Sequence, residues 1–201
     1  MSLFPESLES VRAAAASCTN CDLYKEATQT VFGEGPEHAR LMLVGEVPGD
    51  REDLAGRPFV GPAGRLLDEA LEQVGIDREA TYITNAVKHF KFIRRGKLRL
   101  HQTPLASEIK ACVPWLDREI EIVDPHVIVA LGATAGRALV GPGYRVTKQR
   151  GEVLTRPDGR RLVGTIHPSA LLRIEDSAEQ AEAITRLAAD LAVAARLLPP
   201  R

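Results

Sequence analysis

The segment from residue 45 to residue 67 carries residue types that can bind a flat ligand beside an anionic group. Its glycines allow the backbone to approach a flat ligand closely. The helix expected over residues 64–74 would present an N-terminus that attracts phosphate. Phe59 lies between these two features, in a turn-like setting where a core phenylalanine is less expected. We therefore expect a pocket for a planar group next to a negatively charged one.

Three cysteines form a second set of reactive side chains. Cys18 and Cys21 form a Cys-x-x-Cys pair, and Cys112 lies far along the chain. The pair could be a redox couple, although the βαβ context of such couples is missing around it. It could also be two buried thiols, or half of a metal site, because thiolates bind zinc and iron–sulfur clusters. Such a site needs about four ligands, so the fourth would not be a cysteine.

A basic segment lies between residues 88 and 99. It contains no acidic residue, and its basic residues are Lys88, Lys91, Arg94, Arg95, Lys97 and Arg99. A stripe of this kind is the usual electrostatic footprint for phosphate groups, and the alternative is a solvated loop. Because Phe90, Phe92 and His101 lie in the same stretch, we expect a long functional loop over residues 90–102.

Short apolar runs and helical repeats predict the elements that position these residues. The predicted strands are residues 41–44, 80–87, 127–131, 150–155 and 161–165, the last two forming a hairpin. Helices are expected between them and over residues 178–198. The alternation predicts one α/β/α sandwich domain over residues 1–201, with a central, largely parallel four-stranded sheet. Residues 1–16 and the extreme C-terminus are expected to be peripheral.

The predicted topology gathers the polar candidates at one edge of the sheet. Gly45, Asn85 and Gly132 lie at or just after the ends of three strands, and His167 follows the last strand. Open parallel sheets bind ligands beyond the carboxyl ends of their strands. We therefore expect these residues to converge on a single active site.

Composition sets broad limits on the class of protein. The chain has 201 residues and a net charge of −1, so it can bury one sizeable core and is not basic overall. No stretch resembles a transmembrane segment or a secretory signal, which predicts a cytoplasmic protein without membrane contact. No surface suggests a dimer, so we expect a monomer.

Three motifs resemble those of one enzyme superfamily. Residues 45–64 contain Gly-Glu-x-Pro-Gly and then Glu-Asp-x-x-Gly-x-Pro-Phe-Val-Gly-x-Ala-Gly. This pattern resembles motif A of the uracil-DNA glycosylases, most closely the iron–sulfur branch, family 4, and its covalent-binding offshoot, the UdgX type. His167-Pro168-Ser169 resembles the second glycosylase motif, and residues 84–88 match Thr-Asn-x-Val-Lys. The resemblance spans roughly residues 18–173 and implies excision of uracil from DNA, with single strands as the expected preferred substrate.

The resemblance implies how the pocket would bind uracil. Phe59 would supply a stacking face, and the Asn85 amide would pair with uracil O4 and N3–H, which excludes cytosine. Backbone amides of the turn formed by Val47, Gly49 and Asp50 would serve O2. The alternative for Asn85 is a turn residue at the end of a strand.

The second motif implies roles in bond cleavage and DNA contact. His167 would donate to uracil O2 and stabilise the charge that builds on the departing base. The alternative is a histidine that caps the following turn. The segment from Ser169 to Arg173 resembles a loop that wedges into DNA, with Arg173 as a phosphate anchor.

The resemblance also implies which residue would be the fourth metal ligand. In the iron–sulfur glycosylases a cysteine directly follows Thr-Asn-x-Val-Lys, whereas His89 follows it here, as in the UdgX type. This implies a structural 4Fe-4S cluster, with zinc as the alternative. The implied ligands are Cys18, Cys21, His89 and Cys112.

The end of the basic segment resembles the loop that defines the UdgX type. That loop ends in Lys-Arg-Arg-Ile-His, and residues 97–101 read Lys-Leu-Arg-Leu-His. The resemblance implies that His101 attacks C1′ of the deoxyribose and stays attached, with Glu46 stabilising the sugar cation and orienting or deprotonating the imidazole. Lys97 and Arg99 would contact DNA. Two departures are Leu98 in place of arginine and Val47 in place of glutamine.

Two other functions are compatible with the same residues. One is an ordinary multiple-turnover family 4-like glycosylase, in which water completes the reaction. The other is a non-catalytic, cluster-stabilised module that binds single-stranded DNA. The binding module leaves the pairing of Glu46 with His167-Pro168-Ser169 unexplained, and aromatic side chains make up only 4% of the chain.

Overall fold

The computed structural model describes residues 7–199. The strands are β1 (Leu41–Gly45), β2 (Tyr82–Asn85), β3 (Phe92–Arg95), β4 (Leu98–His101), β5 (Val127–Leu131), β6 (Val153–Thr155) and β7 (Arg161–Thr165). The α-helices are α1 (Leu8–Ala15), α2 (Asp50–Ala55), α3 (Pro62–Gln73), α4 (Ala106–Val123), α5 (Ala133–Val140), α6 (Val146–Gln149) and α7 (Ser177–Arg196). Among residues 7–199, no helix combines the length and apolar character needed to cross a bilayer.

The central sheet has five strands in the order β2-β1-β5-β7-β6. β1 runs parallel to β2 and β5, and β5 runs parallel to β7. Only the edge pairing of β6 with β7 is antiparallel within this sheet. The prediction of a largely parallel sheet is confirmed, but the prediction of four strands was wrong. Both arms of the predicted hairpin join the sheet, since the short turn between them brings β6 back beside β7.

Helices cover both faces of this sheet. Met42 and Val44 of β1 lie in one core with residues of α1, α4 and α5. Leu41 and Leu43 point the other way, into a core with α3 and α7. Successive strand residues point to opposite faces, so a strand buried on both faces reads as a continuous apolar run. This is why β1 and β5 could be predicted from their short runs of apolar residues.

The helix α1 packs into the first of these two cores. Leu8, Val11 and Ala15 are buried and the helix lies against α4. Residues 1–16 were predicted to be peripheral; residues 7–16 instead contribute to a helix layer, and residues 1–6 lie outside the described range. The last two residues of the chain also lie outside it.

The segment predicted as a long loop contains an antiparallel hairpin. β3 pairs with β4 in a register that sets Phe92 opposite His101 and Arg94 opposite Arg99. Directly opposed side chains share a face of the ribbon, so these four lie on one face. The turn contains Gly96, whose φ of 61° is easily adopted by glycine. The loop prediction was wrong here because the charged residues hid the alternation of a strand.

Candidate active site

The carboxyl ends of β1, β2 and β7 border a cavity of about 440 Å³. Most of the residues predicted to form a site line it. These are Val47, Gly49, Asp50, Phe59, Asn85, His101, His167, Ser169 and Arg173. They come from the segment between β1 and α3, from the ends of β2 and β4, and from the turn that follows β7. The expected convergence on one edge of the sheet is therefore observed.

Sequence reasoning missed Glu52, which also lines this cavity. Its carboxylate accepts a hydrogen bond from the Gly61 backbone N–H at 2.7 Å. It also lies close to Gly49, where an added Cβ would come within 2.6 Å of Glu52 Oε2. Glu52 thus ties the turn after β1 to the loop that carries Phe59. The signal available in the sequence was an acidic residue placed between two glycine-containing turns.

Phe59 forms one wall of the cavity in an unusual backbone conformation. Its φ is 54°, and the side chain is buried. The ring centroid lies 5.7 Å from that of His167, with an angle of 31° between the planes. An added Cβ at Gly45 would lie 2.6 Å from Phe59 Cζ and would also collide with Asn85 Oδ1. The glycine at the end of β1 therefore allows the ring and the amide to come close together.

Asn85 is held in place by a buried ionic network. Its backbone oxygen accepts a hydrogen bond from Lys88 Nζ at 2.7 Å. Lys88 also forms an ion pair with Glu119, and both side chains are almost fully buried. Glu119 accepts further hydrogen bonds from the Tyr82 hydroxyl at 3.0 Å and the Gly33 backbone N–H at 2.9 Å. Because a buried charge is costly unless it is paired and hydrogen-bonded, this network gives the Asn85 backbone a firm support.

The geometry around His167 identifies which ring nitrogen carries the proton. Nδ1 accepts a hydrogen bond from the Ser169 backbone N–H at 3.1 Å, so the neutral ring is protonated at Nε2. The Ser169 hydroxyl lies 2.8 Å from the same Nδ1. Burial, with a smaller effect from His101, lowers the pKa of His167 to about 4. His167 is therefore a neutral hydrogen-bond donor at ordinary pH.

His101 enters the cavity from the end of β4. Desolvation lowers the pKa of His101, and Arg173 acts in the same direction, whereas Glu46 raises it. Oε1 of Glu46 is buried and has no hydrogen-bond partner among the described residues. The site thus holds a second neutral imidazole, together with a carboxylate that has unused hydrogen-bonding capacity.

The β3–β4 hairpin is fastened to the rest of the protein through Arg99. Its guanidinium pairs with Asp50 at 2.5 Å and with Asp53 at 2.6 Å. It also lies 5.3 Å from the ring centroid of Phe90 and 5.2 Å from that of Phe92. Arg99, predicted to contact DNA, therefore has protein partners, while Lys97 is exposed near the turn of the hairpin.

The predicted metal ligands do not line the cavity. Cys18 and Cys112 are buried, Cys21 is partly buried, and all three are free thiols. Burial raises the pKa of Cys112 to about 11. Trp115 Nε1 donates a hydrogen bond to Cys18 Sγ at 3.2 Å. Among residues 7–199, no group of three or more histidine, cysteine or acidic side chains is arranged to hold a metal ion.

His89 provides the test of whether these residues suit a metal group. Its Nδ1 is buried and has no hydrogen-bond partner in the part of the chain that the structure describes. Its Nε2 lies 3.0 Å from Thr30 Oγ1, and burial lowers the pKa of His89, which favours the neutral ring. An unpartnered buried nitrogen on a neutral imidazole and three free thiols are donor types that suit a metal group with sulfur and nitrogen ligands, although no three of the described side chains are arranged to hold one.

The side chains that line the cavity can carry out two chemical tasks. A planar base can stack on Phe59 and pair with the Asn85 amide while His167 donates to a developing negative charge. His101, which lines the same cavity, offers a nucleophilic nitrogen to an electron-poor carbon.

Comparison with known proteins relates the chain to one superfamily. The family model described as "Uracil DNA glycosylase superfamily" matches residues 32–192. A protein named Type-4 uracil-DNA glycosylase from Thermotoga maritima is 44% identical over 169 residues, which cover 84% of this chain and 84% of the relative. A Type-4 uracil-DNA glycosylase from Pyrobaculum aerophilum is 38% identical over 173 residues, covering 83% and 85%. A Type-5 uracil-DNA glycosylase from the same organism is 33% identical over 182 residues, covering 78% and 74%.

Proposed function

Because the chain belongs to the uracil DNA glycosylase superfamily, we propose that it excises uracil from DNA and then bonds covalently to the abasic sugar through His101. Uracil excision is supported by relatives that carry the name uracil-DNA glycosylase and match more than four-fifths of the chain. The observation that carries the covalent step is that His101 lines the same cavity as Phe59, Asn85 and His167. The UdgX type is the branch we propose.

Recognition of the base uses groups that match uracil. The Asn85 side chain carries one donor and one acceptor, which complement O4 and N3–H of uracil, and cytosine has a donor where O4 would be. Phe59 stacks on one face of the ring. The backbone amides of Val47, Gly49 and Asp50 are proposed to serve O2. A flipped or single-stranded nucleotide can reach such a pocket, whereas a stacked one cannot.

Bond cleavage depends on stabilising the departing base. The C1′–N1 bond breaks and its electron pair moves to uracil, leaving an oxocarbenium-like sugar. His167 donates from Nε2 to O2, an interaction that strengthens as the negative charge grows. A neutral donor suits this task because it needs no proton from solvent at the pH values where the enzyme would work. Glu46 stabilises the positive sugar on the other side.

Capture of the sugar is proposed for His101 because it lines the same cavity as the groups proposed to bind the base. The lone pair of an unprotonated ring nitrogen forms a bond to C1′, and the proton on the other nitrogen passes to Glu46. The depressed pKa of His101 keeps that lone pair available near neutral pH. A nucleophile fixed beside the cation competes well with water because it is held at high effective concentration.

DNA contact is proposed for residues around the cavity mouth. Lys97 and Arg173 would bind phosphates. Arg99 and Ser169 would also contact the DNA, in addition to orienting their protein partners. We propose single-stranded DNA as the preferred substrate. Leu172 is 46% exposed beside Arg173 and could support unstacked bases.

We propose that Cys18, Cys21, His89 and Cys112 hold a 4Fe-4S cluster. The unpartnered Nδ1 of His89 and the three free thiols support this, as does the similarity to Type-4 enzymes. When bound, such a cluster would act as a structural link between the N-terminal segment and α4. Purified protein should be brown, absorb visible light near the blue and contain iron; zinc without iron would refute the cluster.

A denaturing gel tests the proposed function directly. Protein is mixed with labelled single- or double-stranded oligonucleotides carrying one uracil, with thymine controls, and is then boiled in detergent. A uracil-dependent band that migrates with the protein indicates covalent capture. His101→Ser should lose that band but still produce alkali-sensitive abasic sites. His126→Ser, which changes an exposed histidine outside the cavity, serves as the matched control.

The result also separates the alternatives. Persistence of the same adduct in His101→Ser would refute His101 as the nucleophile. Alkali-sensitive sites without an adduct in the unmodified protein would favour a multiple-turnover enzyme like the Type-4 relatives. DNA that is bound but never cleaved by alkali would favour the binding module.

A further inference from the structure

We infer that Arg78 is a positioning residue that holds Phe59 in the geometry needed to stack on the base. This inference rests on the proposed function, because Phe59 is assigned its stacking role there. Arg78 begins a short 3-10 helix, Arg78–Ala80, that leads into β2. It is distant in sequence from Phe59 and does not line the active-site cavity. Its effect on the base would therefore be exerted through Phe59.

Phe59 needs an external support because its backbone conformation is unfavourable. Its φ of 54° lies in the left-handed region, which large side chains rarely adopt. Among residues 7–199, the other non-glycine residue with positive φ is Asp124, which ends α4. Aspartate tolerates this region because its short polar side chain can bond locally, but phenylalanine has no such option. Strained residues persist where surrounding contacts define them, often at functional sites.

Arg78 supplies one of these contacts through the Phe59 carbonyl. Arg78 Nη2 donates a hydrogen bond to that oxygen at 3.2 Å. The other end of the guanidinium pairs with Asp68 of α3, which fixes its direction. A hydrogen bond from a charged donor to a carbonyl is stronger than a neutral one. The backbone of Phe59 is thus tied to a helix rather than left as a free loop.

Gly64 allows the second contact with the Phe59 carbonyl because it has no side chain. A Cβ at this position would overlap the Phe59 carbonyl oxygen. The carbonyl therefore packs tightly against the first turn of α3 while Arg78 donates to it. Together, the two contacts determine where the peptide plane lies and where the side chain points.

The ring has little room to adjust if that peptide plane rotates. Its Cζ faces Gly45, where even an added Cβ would lie only 2.6 Å away. On another side its centroid is 5.7 Å from the His167 ring. A change at the carbonyl would move the ring relative to both Asn85 and His167. Loss of Arg78 should therefore weaken base recognition without removing any group that touches the base.

Single-turnover uracil release tests this role. Arg78→Met keeps much of the side-chain length but removes the hydrogen-bond donor. We expect it to lower the ratio of the maximal rate of uracil release to the half-saturating protein concentration by about tenfold. Arg78→Lys keeps a charged donor and should recover part of that loss. Arg57→Met is the matched control, because Arg57 lies in the same surface region but pairs with Glu34. Its release rate should match the unmodified protein.

A double mutant separates positioning from a general effect on the fold. If Arg78 acts through Phe59, then Arg78→Met should cost little further activity in a Phe59→Ala background. The same tenfold loss in both backgrounds would overturn the inference, as would an unchanged rate in Arg78→Met alone. Circular dichroism and thermal midpoints of each variant would show whether the protein is folded.

A readout that needs no activity separates this inference from the proposed function. The five phenylalanines are replaced by 4-fluorophenylalanine, and the Phe59 fluorine signal is assigned by its loss in Phe59→Leu. Arg78→Met should shift or broaden that signal, and Arg57→Met should not. An unmoved Phe59 signal would overturn the inference even if uracil is excised. If Arg78→Met moves the Phe59 signal but the unmodified protein releases no uracil, the positioning role would be supported and the proposed function refuted.

Discussion

Replacing Arg99 by methionine should impair covalent capture far more than uracil release. Arg99 lies on β4, two residues before His101, and its guanidinium pairs with Asp50 and Asp53. The β3–β4 ribbon is separate from the five-stranded sheet, so its attachment depends on contacts of this kind. Without them the hairpin should open locally and withdraw His101 from the cavity. The residues that read the base lie on other elements and should stay in place.

The structure indicates how large this effect should be. Asp53 is fully buried, and without Arg99 it retains hydrogen bonds from the Thr28 backbone N–H at 2.9 and 3.2 Å. Removing one partner of a buried ion pair costs about 3–5 kcal/mol, and the remaining hydrogen bonds favour the lower end. A cost of about 3 kcal/mol for holding the hairpin closed corresponds to a fall of about a hundredfold in the rate of capture.

The assay measures both steps in one reaction. Excess protein is mixed with labelled single-stranded DNA containing one uracil, and samples are quenched over time. The adduct is counted on a denaturing gel, and total uracil release is counted from adduct plus alkali-sensitive sites. Lys97→Met is the matched control, since Lys97 is exposed near the hairpin turn. It should change the salt dependence of binding and leave the capture rate at saturating DNA unchanged.

Two outcomes would refute this reasoning. Equal loss of capture and release in Arg99→Met would mean that Arg99 supports the whole site rather than the hairpin. An unchanged capture rate with a smaller salt slope would mean that Arg99 serves only as a phosphate contact and does not hold the hairpin closed.

Two further predictions concern the histidines. Because the pKa of His101 is lowered, its neutral form persists on acidification, so the capture rate should stay level as pH falls through about 6.5 and decline only below it. A decline centred above 6.5 in rapid-quench measurements would contradict this. Ser169→Ala removes the hydroxyl beside His167 Nδ1 and should slow uracil release by about two- to tenfold while leaving the salt slope unchanged. Weaker DNA binding with a normal release rate would instead indicate that the hydroxyl serves only as a phosphate contact.

The parts of the fold that could be predicted are those whose residues face one kind of environment. β1 and β5 are buried on both faces, so their sequences are continuous apolar runs. The hairpin at residues 92–101 was missed because its clustered charged residues hide the alternation of a strand, and because the ion pairs that fasten it are made with α2, far away in sequence. The strand β6 was predicted as one arm of a hairpin, but its place in the central sheet was not, because an edge strand of three residues gives little signal of what it pairs with.

The candidate site divides in a similar way. Residues that line the cavity, such as Phe59, Asn85 and His101, could be predicted because the chemistry proposed for them is tied to residue type and short motifs. Residues that hold them in place could not, and Arg78 and Glu119 are the clearest cases. Their importance depends on which atom lies opposite their charged groups, and that atom belongs to a distant segment.

The sequence by itself thus determined the chemistry available to this protein: the apolar strands, the glycine-rich turn, the thiols and the two histidines. Only the tertiary structure decided which groups share a cavity, which tautomer His167 adopts and where the charge of Arg99 is neutralised. The physical reason is that hydrogen bonds, ion pairs and desolvation act over a few ångströms in space. Sequence records residue types along the chain, whereas these interactions depend on distances that arise when the layers pack together.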